Sequence, residues 1–264
     1  VLAGAASYGI LAGAALVAGA MNAMAGGGSF LSFPALLGVH VPPVNANATN
    51  TVALWPGQMA SIVAFRAELR AGRKLLVPVM IAGAIGGLGG ALLLLHTAQT
   101  TFQTMVPWLL LFATLVFAAS GPLNRRLLKN LTTQTETAEK PVFPVFMFAW
   151  LVAVSLYIGY FGAGAGFLII TVLTLFGVKN LNEVNALKAL CTTLANGVAV
   201  ITFVAAGAVY WKECLTMMSM AVVGGYVGAA YSRKMNPKIL RGAVIVTGAV
   251  LSAFFFYQRY YQRR

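Results

Sequence analysis

Charge is scarce in this sequence. Charged residues make up 9% of the 264-residue chain and hydrophobic residues 59%, whereas soluble domains carry about 25% charged residues. A water-soluble protein of this length could not cover its surface with so few charges, so the solvent for most of the chain is lipid. Cysteine is rarer still. Cys191 and Cys214 are the only two, too few for a framework of several bridges. There is no CxxC, no HExxH and no clustered His/Asp/Glu set, and His40 and His96 fall in short connections. That excludes structural zinc and metal catalysis, and no cofactor is expected.

The five acidic residues are Glu68, Glu136, Glu139, Glu183 and Glu213, each in or beside a connection. A proton-driven carrier keeps a carboxylate or histidine within its membrane segments. The absence of one at depth disfavours that kind of coupling. It also argues against a cationic substrate, which would want a buried carboxylate, and so the chain favours an anion.

Basic residues supply the net charge of +13, and they cluster at 66–74, 125–140, 233–241 and 259–264. A nucleic-acid binder sets basic residues on one face of a folded domain with aromatics between them. Here they punctuate apolar stretches, as in loops held at a membrane surface, so no nucleic-acid partner is expected. No basic leader precedes the first apolar stretch, which reads as a patterned membrane segment rather than a secretory signal.

A bilayer core requires about 20 apolar residues in helical form. Eight such runs occur, at 1–21, 44–65, 75–95, 104–121, 143–160, 184–209, 214–231 and 242–257. Two shorter pieces, 29–38 and 167–177, each follow a glycine cluster. Half-helices of this kind persist in lipid only where the broken end faces protein or a water-filled cavity. The expected fold is an all-α polytopic transmembrane bundle in the cell membrane, a bacterial inner membrane by type.

The chain also repeats itself. Ala25-Gly26-Gly27-Gly28-Ser29-Phe30-Leu31 recurs as Phe161-Gly162-Ala163-Gly164-Ala165-Gly166-Phe167-Leu168, and Leu37-Gly38-Val39 as Phe176-Gly177-Val178. Asn45-Ala46 matches Asn185-Ala186, Gly57 matches Gly197, and Gly86–Ala91 matches Gly224–Ala229. Landmarks kept in order across a half of the chain indicate two repeats. The expected organisation is a first repeat over 1–121, a polar cytoplasmic linker over 122–142 and a second repeat over 143–264. The connection at 66–74 is basic and that at 96–103 carries no Lys or Arg, while 210–213 is nearly neutral and 233–241 is basic. Equivalent loops on opposite sides mean inverted repeats, a known transporter plan. The basic residues Arg259, Arg263 and Arg264 would then lie outside. Gly83 and Gly87, Gly86 and Gly90, and Gly224 and Gly228 are small residues four apart, the spacing of close helix–helix packing.

Two features are candidates for the substrate site. The first is the pair of glycine breaks, Asn22, Gly26, Gly27, Gly28 and Ser29 in one half and Gly162, Gly164 and Gly166 in the other. A break before a half-helix leaves amide N–H groups free at a partly positive helix start, which suits an anion. A tight crossing point where only glycine fits is the other reading. The second feature is polar stripes on long apolar helices: Asn47, Asn50, Thr51 and Gln58 in the first half, and Asn185, Lys188, Thr192 and Asn196 in the second. Polar groups at membrane depth face the bundle interior or a pathway. The amides could equally hold helices together, and Lys188 could reach back to the interface.

The run Asn22-Ala23-Met24-Ala25-Gly26-Gly27-Gly28-Ser29-Phe30-Leu31-Ser32-Phe33-Pro34-Ala35-Leu36-Leu37-Gly38 resembles the repeat signature of the TauE/SafE sulfite exporter family: a glycine run, an apolar stretch, a proline and a leucine-rich end. The second half keeps the glycines and the apolar stretch, with Thr171 where a proline is often found. The resemblance implies transport of sulfite, organosulfonates or related small anions. A carrier of another small anion, such as a carboxylate, is the next reading. An intramembrane enzyme would need paired titratable groups at one depth, and the sequence offers none.

The charge pattern predicts that 66–74, 125–140 and 233–241 face the cytoplasm, with 96–103 and 210–213 outside. Single cysteines placed at Arg70 and Lys212 should therefore react with a membrane-impermeant reagent from opposite sides. Labelling of both from one side would rule the arrangement out.

Overall fold

Proline and asparagine mark where several helices start. The computed structural model describes residues 2–24, 27–64, 69, 73–133, 145–178, 180–232 and 237–261, and its elements are all helices. They are α1 (Leu2–Met24), α2 (Ser29–Gly38), α3 (Pro43–Ala64), α4 (Arg73–His96), α5 (Gln99–Thr133), α6 (Val145–Tyr160), α7 (Ala165–Leu175), α8 (Leu181–Ala205), α9 (Trp211–Ser232) and α10 (Pro237–Tyr260). Pro43 and Pro237 each open a helix, where proline's missing N–H costs nothing. Asn180 caps α8, its side chain accepting from the N–H groups of Asn182 and Glu183 at 2.9 and 3.3 Å.

Five of these helices, α1, α4, α5, α8 and α10, are long and apolar enough to cross a bilayer. The chain is thus an all-α, multi-pass membrane bundle. All eight long runs expected from sequence are helical over their described residues, and five of them meet the length and hydropathy of a span there. Helices α3 and α9 have 22 residues each. Asn45, Asn47, Asn50 and Gln58 dilute the apolar character of α3. Helix α6 is described over 16 residues. Helix α5 continues past its expected end at Gly121 to Thr133, so the first part of the polar stretch 122–142 is helical.

The two short helices, α2 with 10 residues and α7 with 11, have matching backbones from end to end. Each follows a left-handed glycine, Gly27 at φ +87° and Gly164 at φ +75°. The Phe30 N–H donates to the Gly27 carbonyl at 3.0 Å and the Phe167 N–H to the Gly164 carbonyl at 3.2 Å. At the far ends His40 (φ 66°) and Gly177 (φ 90°) are left-handed. There the Val41 N–H reaches back to Leu36 and the Val178 N–H to Leu173, the 6→1 bond of a Schellman cap. This corrects the match read from sequence. Gly177 is equivalent to His40 rather than Gly38, because the cap fixes which residue turns left-handed.

Helices α3 and α8 cross in antiparallel fashion. Asn45, at the start of α3, donates to the Ala208 carbonyl beyond the end of α8 at 2.9 Å. Farther along, the Trp55 indole N–H donates to the Thr193 carbonyl at 3.0 Å and the Asn196 amide to Gln58 Oε1 at 2.9 Å. Helices α5 and α10 are also antiparallel, with Arg259 against Thr104 and Gly248 against Thr114. The Asn45 side chain accepts from Gln99 at the start of α5 while donating to Ala208. The α4–α5 and α8–α9 connections therefore lie at the same end of the bundle.

The glycine stripes pack as their spacing implies. On α4, Gly83 and Gly87 face Cys191 and Ala195 of α8, whereas Gly86 and Gly90 face Val152, Ser155 and Leu156 of α6. On α9, Gly224 and Gly228 sit against Leu16 and Ala20 of α1. Each pairing joins a helix of one half of the chain to a helix of the other. A Cβ at Gly224 would overlap the Leu16 carbonyl, while one at Gly13 on the open side of α1 would meet nothing within 4 Å. Gly224→Val should therefore lose at least the roughly 1–3 kcal/mol of an overpacked core, and Gly13→Val should stay within about 0.5 kcal/mol of the parent. Melting temperatures of the two purified variants check this; equal losses would exclude close α1–α9 packing.

Candidate functional site

The first break is closed by its own side chains. Asn22, in the last turn of α1, accepts from the Gly28 N–H through Oδ1 at 2.7 Å. Asn50, reaching over from α3, donates to Ser29 Oγ at 3.2 Å and accepts from the Ser32 hydroxyl at 2.6 Å. Asn50 and Ser32 are buried, so these bonds satisfy polar groups that lipid would leave bare. A Cβ at Gly28 would overlap the Ala18 carbonyl, and one at Gly27 would lie 2.9 Å from Val244 Cγ1. Close packing thus demands glycine here. Gly26 lies outside the described residues.

The second break is built differently. The Gly162 N–H donates to the Tyr157 carbonyl at 3.0 Å, and the Tyr157 hydroxyl donates to the Ala163 carbonyl at 2.8 Å. Gly164 caps α7 with no side-chain bond. The N–H groups of Gly164 and Gly166 have no acceptor among the described residues, as is true of their equivalents Gly27 and Ser29 at the first break. Lys188, two turns into α8, lays its stem across this helix start: a Cβ at Gly166 would meet Lys188 Cδ at 3.5 Å. The lysine is partly buried and has no carboxylate partner among the described residues. Asn196, two turns further, comes within 3.9 Å of a Cβ on Gly162 while bound to Gln58.

The structure sorts the candidate residues accordingly. Asn22, Gly27, Gly28, Ser29 and Asn50 gather at the first break, and Gly162, Gly164, Gly166, Lys188 and Asn196 at the second. Asn47 ties the halves together, its amide donating to the Tyr160 carbonyl at 2.9 Å. The hydroxyls of Thr51 and Thr192 bond back to their own helices, at the carbonyls of Asn47 and Lys188, both at 2.9 Å. Asn185, half-buried, has no hydrogen-bond partner among the described residues. One ring links the two half-helix starts: Phe117 of α5 packs edge-on against Phe30 at 6.3 Å and Phe167 at 4.9 Å. Sequence reading left out Ser32, Tyr157 and Phe117. Ser32 had a signal, since it lies one turn beyond Gly28 on a half-helix, but the other two look like ordinary apolar positions.

The arrangement carries a positive charge and free N–H donors at one helix break, inside a bundle that crosses a membrane. A family model described as Sulfite exporter TauE/SafE matches residues 11–255 of the chain. The chain belongs to this family. Among curated proteins, this TauE/SafE member is similar to the probable membrane transporter protein YfcA of Escherichia coli (strain K12), 26% identical over 258 residues that cover 96% of this chain and 91% of the relative. A probable membrane transporter protein of Haemophilus influenzae is 25% identical, covering 92% of each chain. The probable membrane transporter protein ORF9 of Sinorhizobium sp. is 27% identical, covering 90% of this chain and 88% of its own. No solved structure matches it. A TauE/SafE protein is a multi-pass membrane transporter, not an enzyme, and the bundle described above accords with that.

Left-handed and helical glycines at the breaks should respond differently to a single methyl group. Gly27→Ala places a Cβ on a left-handed residue, at a cost of about 1–2 kcal/mol, and crowds Val244 as well. Gly166 has helical backbone and its Cβ would meet only the lysine stem at ordinary contact distance. Gly27→Ala should therefore lower the melting temperature clearly and Gly166→Ala hardly at all; the reverse order would show that the breaks are built otherwise.

Proposed function

We propose that this protein carries a small sulfur-containing anion, sulfite or an organosulfonate, across the membrane, and that the anion binds where the start of α7 meets Lys188. The observation that carries the reading is the stem of Lys188 lying against Gly166, 3.5 Å from its Cβ position. Two amide N–H groups beside it, of Gly164 and Gly166, lack acceptors among the described residues. A lysine at membrane depth costs about 3 kcal/mol, a cost that an arriving anion offsets. The helix start contributes partial positive charge and short-range donors, and the ammonium adds long-range attraction. Asn185, one turn before Lys188 on the same stripe, has spare hydrogen-bonding capacity among the described residues. Asn196 and Gln58 close the site where α3 crosses α8.

The frame for this site is a pair of inverted repeats, residues 1–121 and 143–264, joined by a cytoplasmic linker over 122–142. Three observations support it. Helices α3 and α8, equivalent in sequence, are antiparallel, and so are α5 and α10, as a two-fold axis in the membrane plane requires. The α8–α9 connection shares an end with the α4–α5 connection through Asn45. Its sequence equivalent, the α3–α4 connection, is separated from that end by the length of α4. Contacts of α1 with α9 and of α6 with α4 repeat each other when the halves are exchanged. Transport then follows from the two halves exposing one central site to either side in turn.

Lys188→Met keeps most of the stem and removes the charge. A doubly charged sulfite draws more from the ammonium than a singly charged sulfonate, because the Coulomb term scales with charge. Lys188→Met should therefore weaken sulfite binding to the purified protein more than methanesulfonate or ethanesulfonate binding, with the larger loss at higher pH, where sulfite carries more charge. Equal binding by parent and variant at every pH would remove Lys188 from the site. Acetate bound more tightly than any of the three would favour a carboxylate carrier instead.

A further inference from the structure

The lipid-facing junction of α5 and α10 carries a groove with no part in the transport reading. Trp108 on α5, Ala253, Phe256, Tyr257 and Tyr260 on α10 and Tyr261 just beyond line an open groove of about 550 Å³. Small-molecule sites occupy roughly 300–1,000 Å³. The wall is ordered by its own contacts. Trp108 meets Phe256 edge-on with ring centroids 4.9 Å apart, and Phe256 stacks on Tyr260 at 6.0 Å. Tyr257 stacks on Tyr261 at 5.8 Å, and the Trp108 indole N–H donates to the Tyr260 hydroxyl at 3.4 Å. Even so, Trp108 is 57% exposed and Tyr257 58%.

Arg259 stands at the same place. Its Nη2 donates to Thr104 Oγ1 at 2.7 Å, one turn before Trp108 on α5. That bond uses one of five guanidinium N–H donors. No carboxylate pairs with Arg259 among the described residues.

We propose that this groove holds one anionic phospholipid, with an acyl chain along Trp108, Ala253 and Phe256 and the headgroup phosphate on Arg259. A groove on the lipid side of a membrane bundle is bathed by acyl chains rather than water, and its lining is almost wholly apolar. Tyrosine and tryptophan gather at headgroup level, and four of the six lining residues are of these types. Arg259 is then at phosphate height, and the planar guanidinium matches phosphate oxygens in pairs. Charge also decides against a second copy of the chain. A two-fold contact through this face sets like patches together, so one Arg259 would meet another.

The test uses the full chain in a neutral detergent and counts bound lipid by native mass spectrometry. Phosphatidylglycerol should bind about tenfold more tightly than phosphatidylcholine of the same acyl chains, an increment of about 1.4 kcal/mol. Arg259→Gln should erase that preference and Arg259→Lys restore part of it. Thr104→Val, which loses the same hydrogen bond but keeps the charge, should retain it. Ala253→Leu, which fills the groove from an exposed position, should weaken both lipids while leaving the melting temperature in detergent unchanged. Three results would overturn the proposal: an unchanged headgroup preference in Arg259→Gln, parental lipid binding in Ala253→Leu, or disulfide-linked dimers formed in membranes by Ala253→Cys.

Discussion

Lipid offers no hydrogen bonds, and every feature of this bundle answers to that constraint. A helix that stops halfway across a bilayer exposes backbone N–H and C=O groups that only protein or enclosed water can satisfy. This chain stops two helices that way, α2 and α7, and then surrounds the broken ends. Asn22, Ser32 and Asn50 bond the first break, Tyr157 bonds the second, and Phe117 fills the space between them. Asn50, one of the polar residues that lower the hydropathy of α3, is thus also one that lets α2 begin inside the bundle. That helix forfeits the look of a membrane span in order to make its neighbour possible.

Helices can surround a break only if they come close, and in lipid there is little hydrophobic force to bring them together. Glycine supplies the proximity. The two stripes of α4 allow it to approach α6 and α8 at once, and the stripe of α9 admits α1. Since these contacts run between halves, neither half encloses its own fourth helix. The same geometry that seals the breaks also makes the two halves depend on each other for a packed interior.

Much of this was legible in the sequence, for physical reasons. Eight long apolar runs, two half-length pieces and three glycine stripes are local signals, set by the thickness of a bilayer and the pitch of a helix. The register of the half-helix ends was not legible, because His40 occupies a left-handed position where Gly177 stands in the other half, and sequence comparison pairs glycine with glycine. The site was legible as a set of polar residues but not as a division of labour. Thr51 and Thr192 lie on the right faces, yet their hydroxyls bond to their own helices, an option open to every threonine on a helix. Tyr157 gave no sign at all, since its ring packs among aromatic residues while only its hydroxyl reaches the break.

The two breaks share a backbone course but not their surroundings, and on the proposed reading the difference bears on transport. A symmetric pair of sealed breaks would be a rigid scaffold. A symmetric pair of cationic breaks would place two buried charges close together with no anion to separate them. Position 48, which corresponds to Lys188 in the register of Asn45 with Asn185, is alanine and fully buried. One break is thus held by side-chain bonds from Asn22 and Asn50, while the other has a lysine stem laid beside it. On the proposed reading binding falls to the second break, and an anion there lies across from the packed first break. Because the charge lies on α8 and the donors on α7, an anion that binds both also joins those two helices. On that reading, occupancy of the site is coupled to how the second half packs against the crossing helix α3.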